Sequence, residues 1–132
     1  MYYKLWLHDF RSPIQTGAKR VWDGSYPFTL PKVRLDRSES ECARGWNFVE
    51  DLAHGIQVAG LWRDGHSSLI TVVEPSKDAI QRGRKWRCSQ LTILRPATGD
   101  EVRAGIVVFS VAFGEFGEQM AEEQVAWWTA LS

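Results

Sequence analysis

The segment from Asn47 to Glu74 constrains the fold more than any other part of this 132-residue chain. Asn47 and Glu50 match a helix-starting capping box, and apolar residues follow at 48, 49, 52, 56 and 59. An Asp64-Gly65 turn and an apolar segment, 68–74, come next. That segment is β-branched on both faces, which is typical of a central strand. The sequence therefore predicts a helix whose apolar stripe packs on a sheet centred at 69–73.

Other segments predict a mostly antiparallel sheet around this unit. Alternation over 2–9 indicates a strand with Tyr2, Lys4, Trp6 and His8 on one face and Tyr3, Leu5 and Leu7 on the other. We predict further strands at 90–94 and, at an edge, 32–35, a helical turn at 38–41, and a capping box at 98–101. Residues 102–113 fit a strand or a short helix equally well, and 117–131 fit a helix. The fold class expected is a single α+β domain over 1–132, a small curved, mainly antiparallel sheet packed by one central and one C-terminal helix.

The charges balance over the whole chain but not locally. Sixteen basic and sixteen acidic residues cancel, so no overall field attracts nucleic acid or a membrane. Residues 67–97 carry six Lys or Arg against two acids, whereas 98–132 carry one Arg against six acids. This asymmetry fits two complementary solvated faces, or a basic binding surface around 82–87.

The cysteine and histidine content gives little sign of a disulfide scaffold or a metal site. Cys42 and Cys88 are expected to be reduced, partly buried thiols. The three histidines are far apart, and no Cys-x-x-Cys or His-Glu-x-x-His motif occurs, so we expect no metal. We see no signal peptide and no apolar run long enough to span a membrane, which favours a cytoplasmic protein without membrane contact.

The segment 82–87 is the best candidate for ligand binding. Four cations flank Trp86, a composition that can contact a nucleic-acid backbone and stack on a base, or bind a phosphate or carboxylate through Arg. The alternative is a solvated basic loop with a turn at Gly83, in which Trp86 fills the core. Under the binding interpretation the predicted ligand-binding residues are Trp46, Trp62, His66, Arg84, Lys85, Trp86 and Arg87.

A pair of tryptophans near the C-terminus predicts a second surface. Trp127 and Trp128 would leave at least one large ring near solvent, where it could contact a protein partner or a second copy of the chain. We therefore expect the C-terminal helix to carry a partner surface, and nucleic acid is the less favoured partner.

The order of segments around Gly45-Trp46-Asn47 resembles small bacterial domains that carry a Gly-Phe-His or Gly-Trp-Asn segment before a helix. More remotely, residues 1–95 resemble the first half of ADP-ribosyltransferase-like folds. That resemblance implies a cleft for NAD or a nucleotide. It would place His8 on the first strand, Ser67 or Ser68 after the helix and a late glutamate such as Glu118 in catalytic roles.

Two functional hypotheses follow. The first is a non-enzymatic binding or interaction module with an aromatic- and Arg-lined cleft and no cofactor, and it is preferred because the sequence shows no catalytic set. The second is an ADP-ribosyltransferase-like enzyme that acts on NAD or a nucleotide through His8, Ser68 and Glu118. The first hypothesis leaves the ligand open, whereas the second implies NAD or a nucleotide.

Overall fold

The computed structural model describes residues 1–6, 10, 20–40, 43–55, 69–105 and 108. Within these ranges the chain has two helical segments, α1 over 52–55 and α2 over 99–105, and 108 is also helical. Seven strands accompany them: β1 (Tyr2–Trp6), β2 (Phe28–Thr29), β3 (Trp46–Phe48), β4 (Leu69–Pro75), β5 (Ile80–Arg82), β6 (Lys85–Cys88) and β7 (Leu91–Pro96).

The strands form two antiparallel sheets, and a backbone bridge joins the first sheet to the second. The larger sheet has the order β1-β4-β7-β2 and the smaller has the order β3-β6-β5. Tyr3 on β1 exchanges two backbone hydrogen bonds, of 2.8 and 2.9 Å, with Val49 just beyond β3. The predicted α+β class with mainly antiparallel strands is therefore confirmed, and the described strands form two sheets where one was predicted.

Both faces of the larger sheet carry buried residues. One face packs against the smaller sheet, around a core of Trp6, Trp22, Leu30, Phe48, Val73, Cys88, Leu91 and Ile93. The other face is covered by the helices, where Leu52 of α1 packs with Leu5, Val49 and Ile70, and Val102 of α2 lies against them. The alternation predicted for Tyr2 to Trp6 is confirmed, because Leu5 and Trp6 belong to opposite cores.

β4 occupies the central position predicted for it. It pairs with β1 on one side and with β7 on the other, and a bulge shifts the register to β7 between Val72 and Val73. Pro75 is the last residue of the strand, as expected for a residue that cannot donate to the ladder. The prediction of a strand at 90–94 is also confirmed, because β7 runs from Leu91 to Pro96.

The predicted start of the central helix at Asn47 is wrong. Asn47 lies in β3, opposite Arg87 of β6, and Trp46 and Phe48 on either side of it contact the core. Helix α1 begins at 52 instead, and the carboxylate of Asp51 accepts a hydrogen bond of 3.3 Å from the backbone N–H of His54. Asp51 is as good a helix cap as Asn47, and pairing with a distant strand decided between them.

The basic segment is a hairpin and not a loop. β5 and β6 flank a turn at Gly83, whose φ of +63° fits the predicted turn there. Residues 32–35 do not form a strand, although Val33 and Leu35 are half-buried and their neighbours exposed, as the alternation predicted. No helical turn begins at 38, where the chain bends because the carboxylate of Asp36 accepts the backbone N–H of Ser38 at 2.8 Å.

The capping box at 98–101 is confirmed. The N–H of Glu101 donates to the hydroxyl of Thr98 at 3.1 Å, and the N–H of Thr98 donates to the Glu101 carboxylate at 2.9 Å. Helix α2 follows, so the first part of 102–113 is helical. The helix predicted at 117–131 lies outside the described residues.

Candidate functional site

A buried arginine organises the surface above the smaller sheet. In β6, Trp86 and Cys88 contact the core, so Arg87 between them lies on the opposite face. Its side chain is only 1% exposed, and its guanidinium donates to the carbonyls of Asp36, Ser38 and Ser40 at 2.6, 2.7 and 2.5 Å. The planar fork of arginine suits such a set of acceptors, which fixes the backbone of 36–40 on the hairpin.

Arg82 holds the same segment from the neighbouring strand. Its guanidinium donates to the carbonyls of Ser38 and Arg37, each at 2.8 Å, and it lies 3.6 Å from the Glu39 carboxylate. Together, Arg82 and Arg87 form what we call the carbonyl clamp, in which two strand arginines bind four carbonyls of 36–40.

The backbone on either side of the clamp is also fixed. The N–H of Val33 donates to the carbonyl of Ser89 at 2.8 Å, and the N–H of Asp36 donates to the carbonyl of Arg44 at 3.0 Å. Gly45 adopts a φ of +140° and approaches so closely that an added Cβ would lie 3.1 Å from Leu35 and 3.3 Å from Cβ of Arg87. The segments 33–37 and 44–45 are thereby held side by side.

These two segments enclose an open depression of about 490 Å³, which we call the arginine cleft, lined by Arg34, Leu35, Asp36, Arg37 and Arg44. The three arginines are exposed residues. Among the residues that the structure describes, none of the three forms a side-chain ion pair within 4.0 Å. Three guanidinium groups against one carboxylate give the lining a formal charge of +2.

Two nearby carboxylates are already held by hydrogen bonds. Hydrogen bonds from Ser38 lower the pKa of Asp36, and Arg87 and Arg34 add to this effect, so Asp36 is ionised at neutral pH. Hydrogen bonds from Ser76 and Ser89 lower the pKa of Asp78 to about 2, with a smaller contribution from Arg37. Both carboxylates have local hydrogen-bond donors, and neither is within ion-pair distance of a cleft arginine.

The predicted ligand-binding residues that the structure describes do not line the arginine cleft. Trp46 is half-buried and donates its indole N–H to the carbonyl of Pro31 at 2.8 Å, and Arg84 is exposed and paired with Asp51 at 2.5 Å. Lys85 is half-buried in β6, and Arg87 is committed to the carbonyl clamp. Trp86 packs on Phe48 and Tyr2, with ring centroids 6.2 and 5.6 Å apart, which agrees with the core-filling alternative.

The remaining predicted site residues lie outside the described residues. They are His8, Trp62, His66, Ser67, Ser68, Glu118, Trp127 and Trp128. The transferase alternative and the C-terminal partner surface both depend on them, so each stays a prediction.

Sequence reasoning missed the cleft arginines. Residues 34–44 have a formal net charge of zero, because Asp36, Glu39 and Glu41 offset the three arginines in any local count. The sequence did offer one indication, because three arginines occur within eleven residues, 34–44. That signal does not show that Arg82 and Arg87 would hold this segment against the hairpin.

Neither the described part of the chain nor its comparison with known proteins points to a metal site, a membrane span or a family. In the described ranges, His, Cys, Asp and Glu side chains do not gather in groups of three or more that could hold a metal ion. Nor does that part of the chain contain a helix of the length and apolarity needed to cross a membrane. No family model, curated protein or solved structure matches the chain.

Proposed function

We propose that this protein is a non-enzymatic binding module that takes an oxyanion-bearing ligand in the arginine cleft. The observation that carries the proposal is the lining of the cleft by Arg34, Arg37 and Arg44 without ion-pair partners among the described residues. Guanidinium groups match phosphate and carboxylate oxygens in bidentate geometry, and they are less strongly hydrated than lysine ammonium groups.

The chemistry of the cleft supports binding and not catalysis. Its lining contains one carboxylate, Asp36, which accepts a backbone N–H and is ionised, and otherwise only arginines and Leu35. An ionised aspartate with a low pKa is a poor general acid at neutral pH. The three cations, by contrast, can hold an anion without any change of protonation.

The first experiment measures fluorescence anisotropy of a fluorescein-labelled uridine 12-mer at several salt concentrations. With three arginine contacts, the logarithm of the binding constant should fall with the logarithm of the salt concentration with a slope of about −2. Each contact to a single strand contributes roughly −0.7 to this slope. Competition with tripolyphosphate and with a poly-glutamate peptide then distinguishes phosphate from carboxylate as the preferred group.

Matched variants locate the binding site. Arg37→Gln should weaken binding about 3- to 10-fold, and the triple variant Arg34→Gln, Arg37→Gln, Arg44→Gln should abolish it. Arg103→Gln is the control, because it removes one exposed positive charge from α2, where Arg103 pairs with Asp100 at 2.8 Å. Equal losses in Arg37→Gln and Arg103→Gln would show a diffuse charge effect and would overturn the proposal, as would the absence of binding by all three anions.

A further inference from the structure

We infer that Arg87 is a positioning residue of the arginine cleft, and that an intact carbonyl clamp strengthens anion binding in the cleft. This inference rests on the proposed function. Arg87 does not line the cleft, since its side chain is buried and its guanidinium faces backbone carbonyls. It would act through the backbone that carries the cleft arginines.

Backbone hydrogen bonds connect each cleft arginine to the region around Arg87. Arg37 lies between Asp36 and Ser38, whose carbonyls both accept from Arg87. The carbonyl of Arg44 accepts a hydrogen bond from the N–H of Asp36. Arg34 follows Val33, whose N–H donates to Ser89, two residues after Arg87. The backbone positions that carry the three guanidinium groups are therefore connected to one another around Arg87.

The electrostatics of Arg87 link its charge to the segment that carries Arg37. A buried cation costs desolvation free energy, which has to be offset by hydrogen bonds or by an opposite charge. Here the charge is compensated by carbonyl dipoles, and the nearby Asp36 carboxylate adds to this, since Arg87 contributes to the lowered pKa of that group. The arrangement holds together a loop that has few apolar contacts of its own, as 36–40 are exposed residues.

A preordered loop matters for an open cleft, because three arginine side chains lose rotamer freedom when they bind one anion. If the backbone were also disordered, the entropic cost of ordering it would weaken binding further. Holding 36–40 in place before the ligand arrives removes that cost. The clamp thus provides preorganisation, and the cleft arginines provide the contacts.

The test compares Arg87→Lys with Arg84→Lys, using the uridine 12-mer and a temperature at which near-UV circular dichroism shows the native signal. Lysine keeps the charge, but its single ammonium group cannot donate to three carbonyls in the planar geometry of a guanidinium. Arg87→Lys should weaken binding at least about 10-fold and reduce the salt slope, because fewer arginines engage at once. Arg84, which is 61% exposed and outside the cleft lining, should tolerate lysine with less than about a 2-fold change.

Hydrogen exchange adds a readout that a general loss of stability would not reproduce. The Asp36 amide should exchange faster in Arg87→Lys, while amides of β4 and β7 keep their protection. Binding by folded Arg87→Lys within about 2-fold of wild type would overturn the inference and leave the proposed function standing. Absence of wild-type binding would overturn both.

If Arg87→Lys does not fold, Arg82→Lys replaces it. This variant removes the contacts to Arg37 and Ser38 from the more exposed side of the clamp and leaves Arg87 in place. About a 3-fold loss of binding is expected, and an unchanged affinity would contradict a role for the clamp.

Discussion

The ammonium group of Lys4 donates a hydrogen bond of 2.6 Å to the backbone carbonyl of Asn47, and thereby ties β1 to β3 inside the core. The lysine side chain is 4% exposed, and its nitrogen lies 5.0 Å from the centroid of the Trp6 ring. Burial lowers the pKa of Lys4 from 10.5 to about 8, and the neighbouring Cys88 opposes the shift. A cation thus sits where the alternation of β1 would otherwise place an apolar residue.

The first prediction concerns the pH dependence of stability. Because the pKa of Lys4 is lower in the folded state, the unfolded state binds more protons between pH 8 and 10.5, and the Lys4 contribution rises with pH across this range. Below pH 8 both states are protonated and the contribution is constant. Relative to Lys4→Met, the wild-type free energy of unfolding should increase by up to about 3 kcal/mol between pH 7.5 and 10.5. Urea denaturation at several pH values measures the free energy of unfolding of both proteins. A constant difference between them across this pH range would contradict the prediction.

The second prediction concerns acid stability. A hydrogen bond from Arg95 lowers the pKa of Glu101 to about 2, with further contributions from Thr98 and Tyr3. The carboxylate therefore stabilises the fold fully above pH 4.5, and this stabilisation is lost as pH falls towards 2. Glu101→Gln should lower the free energy of unfolding at pH 7 by about 1 to 2 kcal/mol, with a smaller effect at pH 2.5.

Asp100→Asn is the matched control for Glu101→Gln. Asp100 also forms an ion pair in α2, but its side chain is 94% exposed and its partner Arg103 is 70% exposed. The control should change stability by less than about 0.5 kcal/mol at either pH. Equal effects of the two substitutions in thermal or urea unfolding would show that the ion pair of Glu101 with Arg95 contributes no more than the exposed ion pair of Asp100 with Arg103.

The third prediction compares two tryptophans of the core. The indole N–H of Trp6 donates to the hydroxyl of Thr71 at 3.0 Å, whereas the buried indole nitrogen of Trp86 has no partner among the described residues. Trp6→Phe removes a hydrogen bond that the folded protein forms, whereas Trp86→Phe removes a buried donor that has no partner among the described residues. Trp6→Phe should therefore cost about 1 to 2 kcal/mol more in urea unfolding than Trp86→Phe. A larger cost for Trp86→Phe would show that its indole nitrogen has a partner in solution.

The fourth prediction compares two glycines. An added Cβ at Gly45 would meet Leu35 at 3.1 Å and the Cys88 carbonyl at 3.2 Å, at a φ of +140°, whereas at Gly99 the nearest atom is 3.6 Å away on the Arg103 side chain. Gly45→Ala should therefore lower the free energy of unfolding by about 1 to 3 kcal/mol. Gly99→Ala, in the first turn of α2, should raise it by up to about 1 kcal/mol. Thermal unfolding of both variants checks the contrast, and a neutral Gly45→Ala would mean that the backbone relaxes there.

The sequence alone determined the elements whose signals are local. The alternation of Tyr2 to Trp6, the β-branched run that became β4, and the reciprocal cap of Thr98 and Glu101 all appear in the structure close to where the pattern predicts them. Each depends on contacts within a few residues or on a hydrophobic period, and both can be seen in a single sequence.

Only the tertiary structure decided the strand at Asn47 and the position of the candidate site. Asn47 pairs with Arg87, forty positions later in the chain, and Arg87 reaches back to a loop around Ser38. Local propensity at Asn47 favours a helix cap, but the backbone hydrogen bonds of β3 and the burial of Phe48 in the core outweigh it. The same long-range pairing buried the arginine expected at the surface and brought Arg34, Arg37 and Arg44 together, because the free energy of strand pairing depends on partners that no local window contains.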